Sequence, residues 1–141
     1  LLSIGVTDEI DFGSLSNGNV SDEFEVEIYN KGNVDSDLYL SGYGLSEGDG
    51  NSMICSGGDD ILIDNKKYSL QSHVGLMNFS EFNGHYFNLT ASPSIIDFNL
   101  SRRQNDSFDE ASDSIFWRIY APFGVGGDCE GNIVFGAVMS E

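Results

Sequence analysis

The sequence predicts an all-β protein built as a single β-sandwich of about nine short strands. Apolar and polar residues alternate along most of the chain, and apolar residues nowhere recur with helical spacing over three turns. Glycine-rich turns separate the predicted strands at intervals of about 8–15 residues, which is typical of a sandwich. The 141 residues suit one domain, and ten Phe, six Tyr and one Trp can fill one hydrophobic core.

The clearest strand covers residues 22–29. Phe24, Val26 and Ile28 alternate there with three glutamates, which predicts a half-exposed antiparallel strand. Residues 114–120 are apolar on both faces and should form a central strand, whereas the acidic stretch 101–113 should be an exposed loop. The remaining strands are predicted, in chain order, at 37–41, 52–55, 61–64, 67–70, 85–90, 95–100 and 132–139, with 61–64 and 67–70 forming a hairpin.

A separate alternating unit, Leu1–Val6, precedes this series, with Leu2, Ile4 and Val6 on one face. We therefore divide the chain into residues 1–8, a strand with its link, and residues 9–141, the sandwich. A sandwich that lacks one strand exposes an apolar groove and unpaired backbone groups, and a detached strand can fill both. The alternative is that Leu1–Val6 pairs within its own domain as an ordinary first strand.

The charge is strongly unbalanced, with 23 acidic residues against six basic ones and a net charge of −17. Phosphates would be repelled, so the charge predicts no nucleic-acid partner and disfavours an anionic membrane surface. No apolar run approaches the ~18–20 residues that cross a bilayer. Salty or acidic surroundings, calcium binding, or a simply solvated surface would each suit such a chain.

Three features predict an extracellular location. The even pair of cysteines, Cys55 and Cys129, predicts one disulfide in a secreted chain. The first residue, Leu1, is not methionine, so we expect that a signal peptide has been removed. Five Asn-X-Ser/Thr sequons predict N-linked glycans, at Asn19, Asn78, Asn88, Asn99 and Asn105.

The chemistry of an enzyme is mostly absent, and we predict no catalytic residues. Ser46 lies in a Gly-X-Ser-X-Gly match, but a turn follows it where a nucleophile elbow needs a helix. His73 and His85 are distant in sequence from a cysteine or a second histidine. Tyr43, Tyr86 and Phe87 could stack on sugars, although core packing is the better expectation.

We expect no metal or other cofactor, with calcium as the one ligand left open. Three acidic loop clusters offer the oxygen atoms that calcium prefers, but none has the spacing of a helix-loop-helix calcium site. These clusters are Asp35/Asp37, Asp59/Asp60/Asp64 and Asp106/Asp109/Asp113.

Several longer segments resemble known surface proteins. They are Ile10-Asp-Phe-Gly-Ser-Leu15, Tyr29-Asn-Lys-Gly-Asn33, Phe116-Trp-Arg-Ile-Tyr-Ala-Pro122, and the glycine-rich stretch from Gly124 to Phe135. Together they are similar to the secreted Ig-like β-sandwich domains of archaeal surfaces, the TasA/camelysin class of fibre-forming proteins, and archaeal bundling pili. The resemblance implies an Ig-like or jelly-roll sandwich. It also implies polymerisation by donor-strand complementation, with Leu1–Val6 as the matching donor strand.

From these observations we predict a glycosylated structural subunit of an extracellular, pilus-like filament. Its predicted partners are other copies of the same chain. A monomeric adhesive or carbohydrate-binding module and an S-layer-associated domain remain the rival predictions. A donor strand that is separate from its own domain would favour the filament, whereas an exposed aromatic strip beside an acid would favour sugar binding.

Overall fold

Antiparallel sheets enclose the main hydrophobic core in a computed structural model that describes residues 2–6, 9–102 and 111–140. The prediction of an all-β sandwich is confirmed. The strands are β1 (Ile4–Val6), β2 (Phe24–Asn30), β3 (Ser36–Tyr43), β4 (Asn51–Cys55), β5 (Ile61–Leu62), β6 (Lys66–Ser69), β7 (Phe87–Asn88), β8 (Ser94–Leu100), β9 (Ser112–Ile119), β10 (Cys129–Glu130) and β11 (Asn132–Met139), with one α-helix, α1 (Phe79–His85).

Three sheets are formed by these strands. The largest has the order β1-β2-β9-β6-β7, and the sheet that faces it across the main core has the order β11-β3-β8. A third sheet, β10-β4-β5, carries part of a smaller apolar cluster. Every pairing between named strands is antiparallel, and the longest runs in register from Asn132 opposite Tyr43 to Met139 opposite Ser36.

The alternating strand of the sequence takes the expected orientation. Val26 and Ile28 are fully buried in the main core, and the glutamates between them lie outside it. Strand β9 pairs with β2 on one side and with β6 on the other, so its prediction as a central strand is confirmed. Trp117 and Arg118 are neighbours in β9, and both are buried, because each face of this strand is covered.

Cys55 and Cys129 form a disulfide across a separation of 74 residues, as the sequence predicts. The two cysteines lie opposite one another in β4 and β10. They belong to the smaller apolar cluster with Ile61, Ile119 and Val125. The bond therefore joins two neighbouring strands of the third sheet.

Three expectations are wrong in detail. The predicted hairpin does not form, because a 3-10 turn at Ile63–Asn65 separates β5 from β6. Strand β5 pairs with β4, while β6 pairs with β7 and β9.

Helix α1 was not predicted from the sequence. Its sequence signal is a capping box, in which Asn78 accepts a hydrogen bond from the Glu81 N–H while the Glu81 carboxylate accepts one from the Asn78 N–H.

The third correction concerns the N-terminal strand. Among the described residues of this segment, Ile4–Val6 does not stand apart from the sandwich, because it pairs antiparallel with β2 of the same chain. Each added pair satisfies backbone groups at the edge of the sheet, and the apolar side chains gain cover from the core. The alternative of an ordinary first strand therefore describes the single chain.

Removing the disulfide should destabilise the fold. We expect the double variant Cys55→Ser/Cys129→Ser to lose about 4 kcal/mol of unfolding free energy, because the bond restrains a long loop in the unfolded chain. Urea unfolding followed by tryptophan fluorescence measures the loss. Dithiothreitol should destabilise the native protein but leave the variant unaffected, and equal stability of the two proteins would contradict the prediction.

Candidate functional site

The N-terminal strand β1 forms one edge of the largest sheet. Ile4 pairs with Asn30 and Val6 with Ile28, and the Ser3 carbonyl accepts a hydrogen bond of 2.9 Å from the Lys31 N–H. Ile4 and Val6 are half-buried against the main core, whereas Leu2 is 41% exposed and does not belong to that cluster. Of the three residues predicted to face a core, Ile4 and Val6 do so, and the core they contact is that of their own domain. Leu1 lies outside the described residues.

Residues 9–15 form no strand, and they lie over the seam between the sheets. Ile10 and Phe12 pack against the main core, and Phe12 and Leu15 pack against the smaller cluster. Residues 2–6 and 9–15, which we call the N-terminal arm, therefore cover both apolar clusters. The arm is attached by three strand pairs and a few half-buried side chains.

Residues 9–15 line part of an open pocket of about 850 Å³. Its walls come from both sheets and include Val26, Ile119 and Phe135. Acidic residues border it as well, among them Glu9, Asp11, Asp128 and Glu130. Residues 9–15 thus form one wall of this open pocket.

Lys66 lines the same pocket, although it is only 2% exposed. Within residues 2–6, 9–102 and 111–140, its ammonium has the Ser52 carbonyl as hydrogen-bond acceptor, at 3.2 Å, and no carboxylate in ion-pair range. Burial therefore lowers the pKa of Lys66 to about 8. A buried cation without a counter-charge lowers the stability of the folded chain.

Strand β11 borders the opposite sheet and pairs with β3, which leaves it at the end of the strand order. Its residues from Ile133 to Val138 are half-buried. Contacts also link β11 to β1. The two sheet edges and the N-terminal arm therefore lie on the same side of the sandwich.

On the other face of the largest sheet, the buried Arg118 holds the segment before helix α1. Its Nη2 donates to the carbonyls of His73 and Gly75, at 2.5 and 2.9 Å. Its Nη1 donates to the Ser21 carbonyl at 2.9 Å, and its Nε donates to the Tyr86 hydroxyl at 2.9 Å. The guanidinium thereby joins the central strand, the chain before β2, and the loop that precedes α1.

Glu23 completes this polar network. Its carboxylate accepts hydrogen bonds from the Tyr86 hydroxyl (2.7 Å), the His73 N–H (2.8 Å) and the Ser72 hydroxyl (2.6 Å). Burial acts to raise the pKa of Glu23, but these bonds and the charge of Arg118 outweigh it and hold the pKa below its ordinary value. Burial and the bond to Glu23 raise the pKa of Tyr86 to about 12.

The two histidines meet next to this network, which their sequence positions did not indicate. The rings of His73 and His85 stack with their centroids 5.1 Å apart, and the His73 ring lies 5.4 Å from that of Tyr86. Within the described residues, no cluster of three or more metal-ligating side chains forms here or elsewhere. The histidines therefore pack the loop against α1 and bring no third ligand with them.

Four of the five sequon asparagines lie on the surface, namely Asn19, Asn78, Asn88 and Asn99. Asn78 caps α1 through its Oδ1, and the Asn99 Nδ2 donates to Asp97 at 2.7 Å. Asn88 differs from the other three asparagines, because its Oδ1 accepts a hydrogen bond from a buried lysine, Lys67. Asn105 lies outside the described residues. Glycosylation at these sites stays a prediction.

The acidic clusters proposed for calcium are largely engaged in local bonds. Asp37 accepts from the N–H groups of Phe98 and Asn99, and Asp60 accepts from the Cys55 N–H. Asp35 lies 3.8 Å from Arg102 in an exposed ion pair. Asp106 and Asp109 lie outside the described residues. Calcium binding stays an open expectation at these clusters.

Ser46 lies in a turn, and a carboxylate organises that turn. Asp49 accepts backbone hydrogen bonds from Asn51, Leu45, Gly44 and Ser46, and these bonds lower the pKa of Asp49 to about 2. A helix does not follow, so the elbow geometry that the Gly-X-Ser-X-Gly letters require is not present at this place.

The aromatic residues considered for sugar stacking do not form a common platform. Tyr86 is buried and hydrogen-bonded on both sides, while Phe87 is exposed and packs against Tyr68 at 5.8 Å. Tyr43 lies at the end of β3, in the opposite sheet. Their positions favour packing over a shared binding strip.

Comparisons with known proteins add no identity. No protein-family model matches the chain, and no curated protein matches it. Within the described residues, no helix has both the length and the apolar character needed to cross a membrane. The functional argument therefore depends on the geometry above.

Replacing Arg118 should lower the unfolding free energy much more than replacing an exposed arginine. We expect Arg118→Met to lower the unfolding free energy by about 3–5 kcal/mol, because it leaves several buried acceptors and Glu23 without their cation. The matched control Arg102→Met, on the exposed ion pair, should change it by no more than about 0.5 kcal/mol. Guanidinium unfolding measures both, and equal effects would contradict the assigned role.

Replacing Lys66 should stabilise the single chain. Lys66→Met removes a buried, poorly paired charge, so we expect the unfolding free energy at pH 7 to rise by roughly 1–3 kcal/mol. The pKa of Lys66 is about 8 in the folded chain, whereas an unburied lysine has a pKa of 10.5. Between pH 8 and 10.5 the unfolded chain therefore binds more protons than the folded chain. Stability of the native protein should therefore rise as the pH rises from about 8 to 10.

In the Lys66→Met variant the unfolding free energy should rise less over that pH range, because the variant lacks the ammonium group that loses its proton there. Lys31→Met, which alters an exposed lysine, is the matched control and should retain the full rise. Urea unfolding at a series of pH values measures both. A destabilised Lys66→Met protein with an unchanged pH dependence would refute the account of Lys66.

Proposed function

We propose that this chain is a structural subunit of an extracellular, pilus-like filament, in which the N-terminal arm of one subunit closes the sandwich of the next. The observation that carries the proposal is the shallow attachment of the arm. Three strand pairs and half-buried side chains hold it against two apolar clusters and beside an open pocket. An element held in this way can occupy the same place on a neighbouring copy, as in domain swapping.

Exchange explains how a strand that closes its own domain can also join subunits. In the single chain, Ile4 and Val6 cover the domain's own core, so the arm must first leave β2 before it can act as a donor. Burial of a large apolar side chain contributes about 1.5–3 kcal/mol when complete, and these side chains are only half-buried. The cost of release is therefore modest, and an equivalent contact recovers it on the next subunit.

The location and the chemistry of the surface agree with this function. A disulfide persists in oxidising surroundings outside the cytosol, and surface sequons such as those of Asn19, Asn78 and Asn99 would accept N-linked glycans there. A net charge of −17 makes copies of the chain repel one another at low salt. A strand-exchange joint provides specific contacts that withstand such repulsion, whereas a polar face-to-face contact would not.

An engineered cysteine pair distinguishes exchange from closure within one chain. Gly5 and Tyr29 lie opposite each other in β1 and β2, on the face away from the core. In Gly5→Cys/Tyr29→Cys, the new disulfide should form within monomers before assembly, but between subunits after assembly. Non-reducing gels of assembled protein should then show a ladder of covalent multimers, and negative-stain microscopy should show filaments.

The matched control is Glu25→Cys/Phe116→Cys, a pair that faces outward between two strands of the sandwich body. It should form its bond only within chains in any state of assembly. Sedimentation measurements over a range of protein and salt concentrations accompany both variants. A monomer under all conditions, with the arm pair bonded only within chains, would refute the filament and favour the adhesive or S-layer-associated module.

A further inference from the structure

Lys67 and Asn88 lie directly opposite each other in the short antiparallel strands β6 and β7. The Lys67 Nζ is in hydrogen-bond contact with the Asn88 Oδ1. Because Oδ1 is bonded to Cγ, the amine also lies beside the carbonyl carbon that a nucleophile attacks. The strand pairing fixes this approach, since it places both side chains on the same face of the sheet.

The surroundings of this amine are unusual for lysine. Lys67 is only 5% exposed, and its Nζ lies 5.4 Å from the centre of the Phe82 ring, which helix α1 places over it. Burial lowers the pKa of Lys67, although the charge of Asp64 acts in the opposite direction. The neutral, nucleophilic form of the amine is therefore more accessible than it is for a lysine in water.

We propose that Lys67 and Asn88 react to form an intramolecular amide crosslink between β6 and β7. The Lys67 ammonium loses a proton to the solvent that reaches the exposed Asn88, and the neutral Nζ attacks the Asn88 Cγ. The bond between Cγ and Nδ2 then breaks, and the departing nitrogen leaves as ammonium after it takes up the transferred protons. One C–N bond forms and one breaks, so no oxidant, reductant or other reactant is needed.

The crosslink would enclose the loop and helix α1, which lie between the two strands in sequence. Edge strand β7 has only two residues, so a covalent bond to β6 fixes an element that has few hydrogen bonds of its own. The reaction also consumes the Asn88 amide nitrogen, to which an N-linked glycan would be attached. Asn88 therefore carries the crosslink, and the glycans of this chain belong to its other sequons.

Mass spectrometry of the full chain tests the proposal directly. The protein is produced in a host without N-glycosylation, so that glycans do not obscure the mass. Its intact mass should lie below that of the disulfide-bonded chain by about 17 Da, the mass of ammonia. Trypsin should fail to cleave after Lys67 and should release one fragment covering residues 67–102 that carries the whole mass loss.

Three variants separate this crosslink from other losses of ammonia, such as cyclisation at Asn83-Gly84. Lys67→Arg should restore the full mass and cleavage after residue 67, whereas the control Lys31→Arg should retain the loss. In Asn88→Asp the loss should change to about 18 Da, because water leaves in place of ammonia. An intact native mass without the loss, or a loss that persists in Lys67→Arg, would overturn the proposal.

Discussion

The buried cation Arg118 is the interaction on which most of this structure depends. It lies in the central strand β9 beside Trp117, and the two side chains point to opposite faces of the sheet. Trp117 fills the main core, while Arg118 anchors the loop and helix that cover the other face. A hydrophobic residue in place of Arg118 could be buried as well, but it could not satisfy the carbonyls of a polar loop. The charge therefore allows both faces of one strand to be covered.

The few basic residues are used in the same manner throughout the chain. Three of the five lysines and arginines that the structure describes are buried, namely Lys66, Lys67 and Arg118. Each occupies a different environment: an open pocket for Lys66, a covered strand pair for Lys67, and a complete hydrogen-bond network for Arg118. Lys31 and Arg102 are the other described basic residues, and both are exposed on a surface rich in acids. The strong surface acidity is thus partly a consequence of placing cations in the interior.

The N-terminal arm links the architecture to the proposed assembly. It covers the seam between the sheets and both apolar clusters, but it does so with three strand pairs and half-buried side chains. A sandwich closed by such an element has two ways to complete the same interface, from its own chain or from a neighbour. The intrachain pairing of Ile4–Val6 and a role in joining subunits are therefore two uses of one complementary surface.

By itself, the sequence determined the fold class, the inward face of β2, the central position of β9 and the partners of the disulfide. These follow from local alternation, from apolar residues on both faces of one segment, and from an even cysteine count. Helix α1 had a local signal as well, because Asn78 and Glu81 form a capping box. That signal was missed because seven residues are too few to show helical periodicity.

Only the tertiary structure decided which strands pair and which side chains meet. The hairpin failed because a 3-10 turn redirects β5, and strand pairing depends on contacts far away in the chain. Likewise, Glu23 meets Tyr86, His73 meets His85, and Lys67 meets Asn88 through sheet register and helix packing. Alternation states which face a residue takes, but it carries no information on the partner across that face. For this reason the sequence showed the sandwich, and the structure revealed its buried polar chemistry.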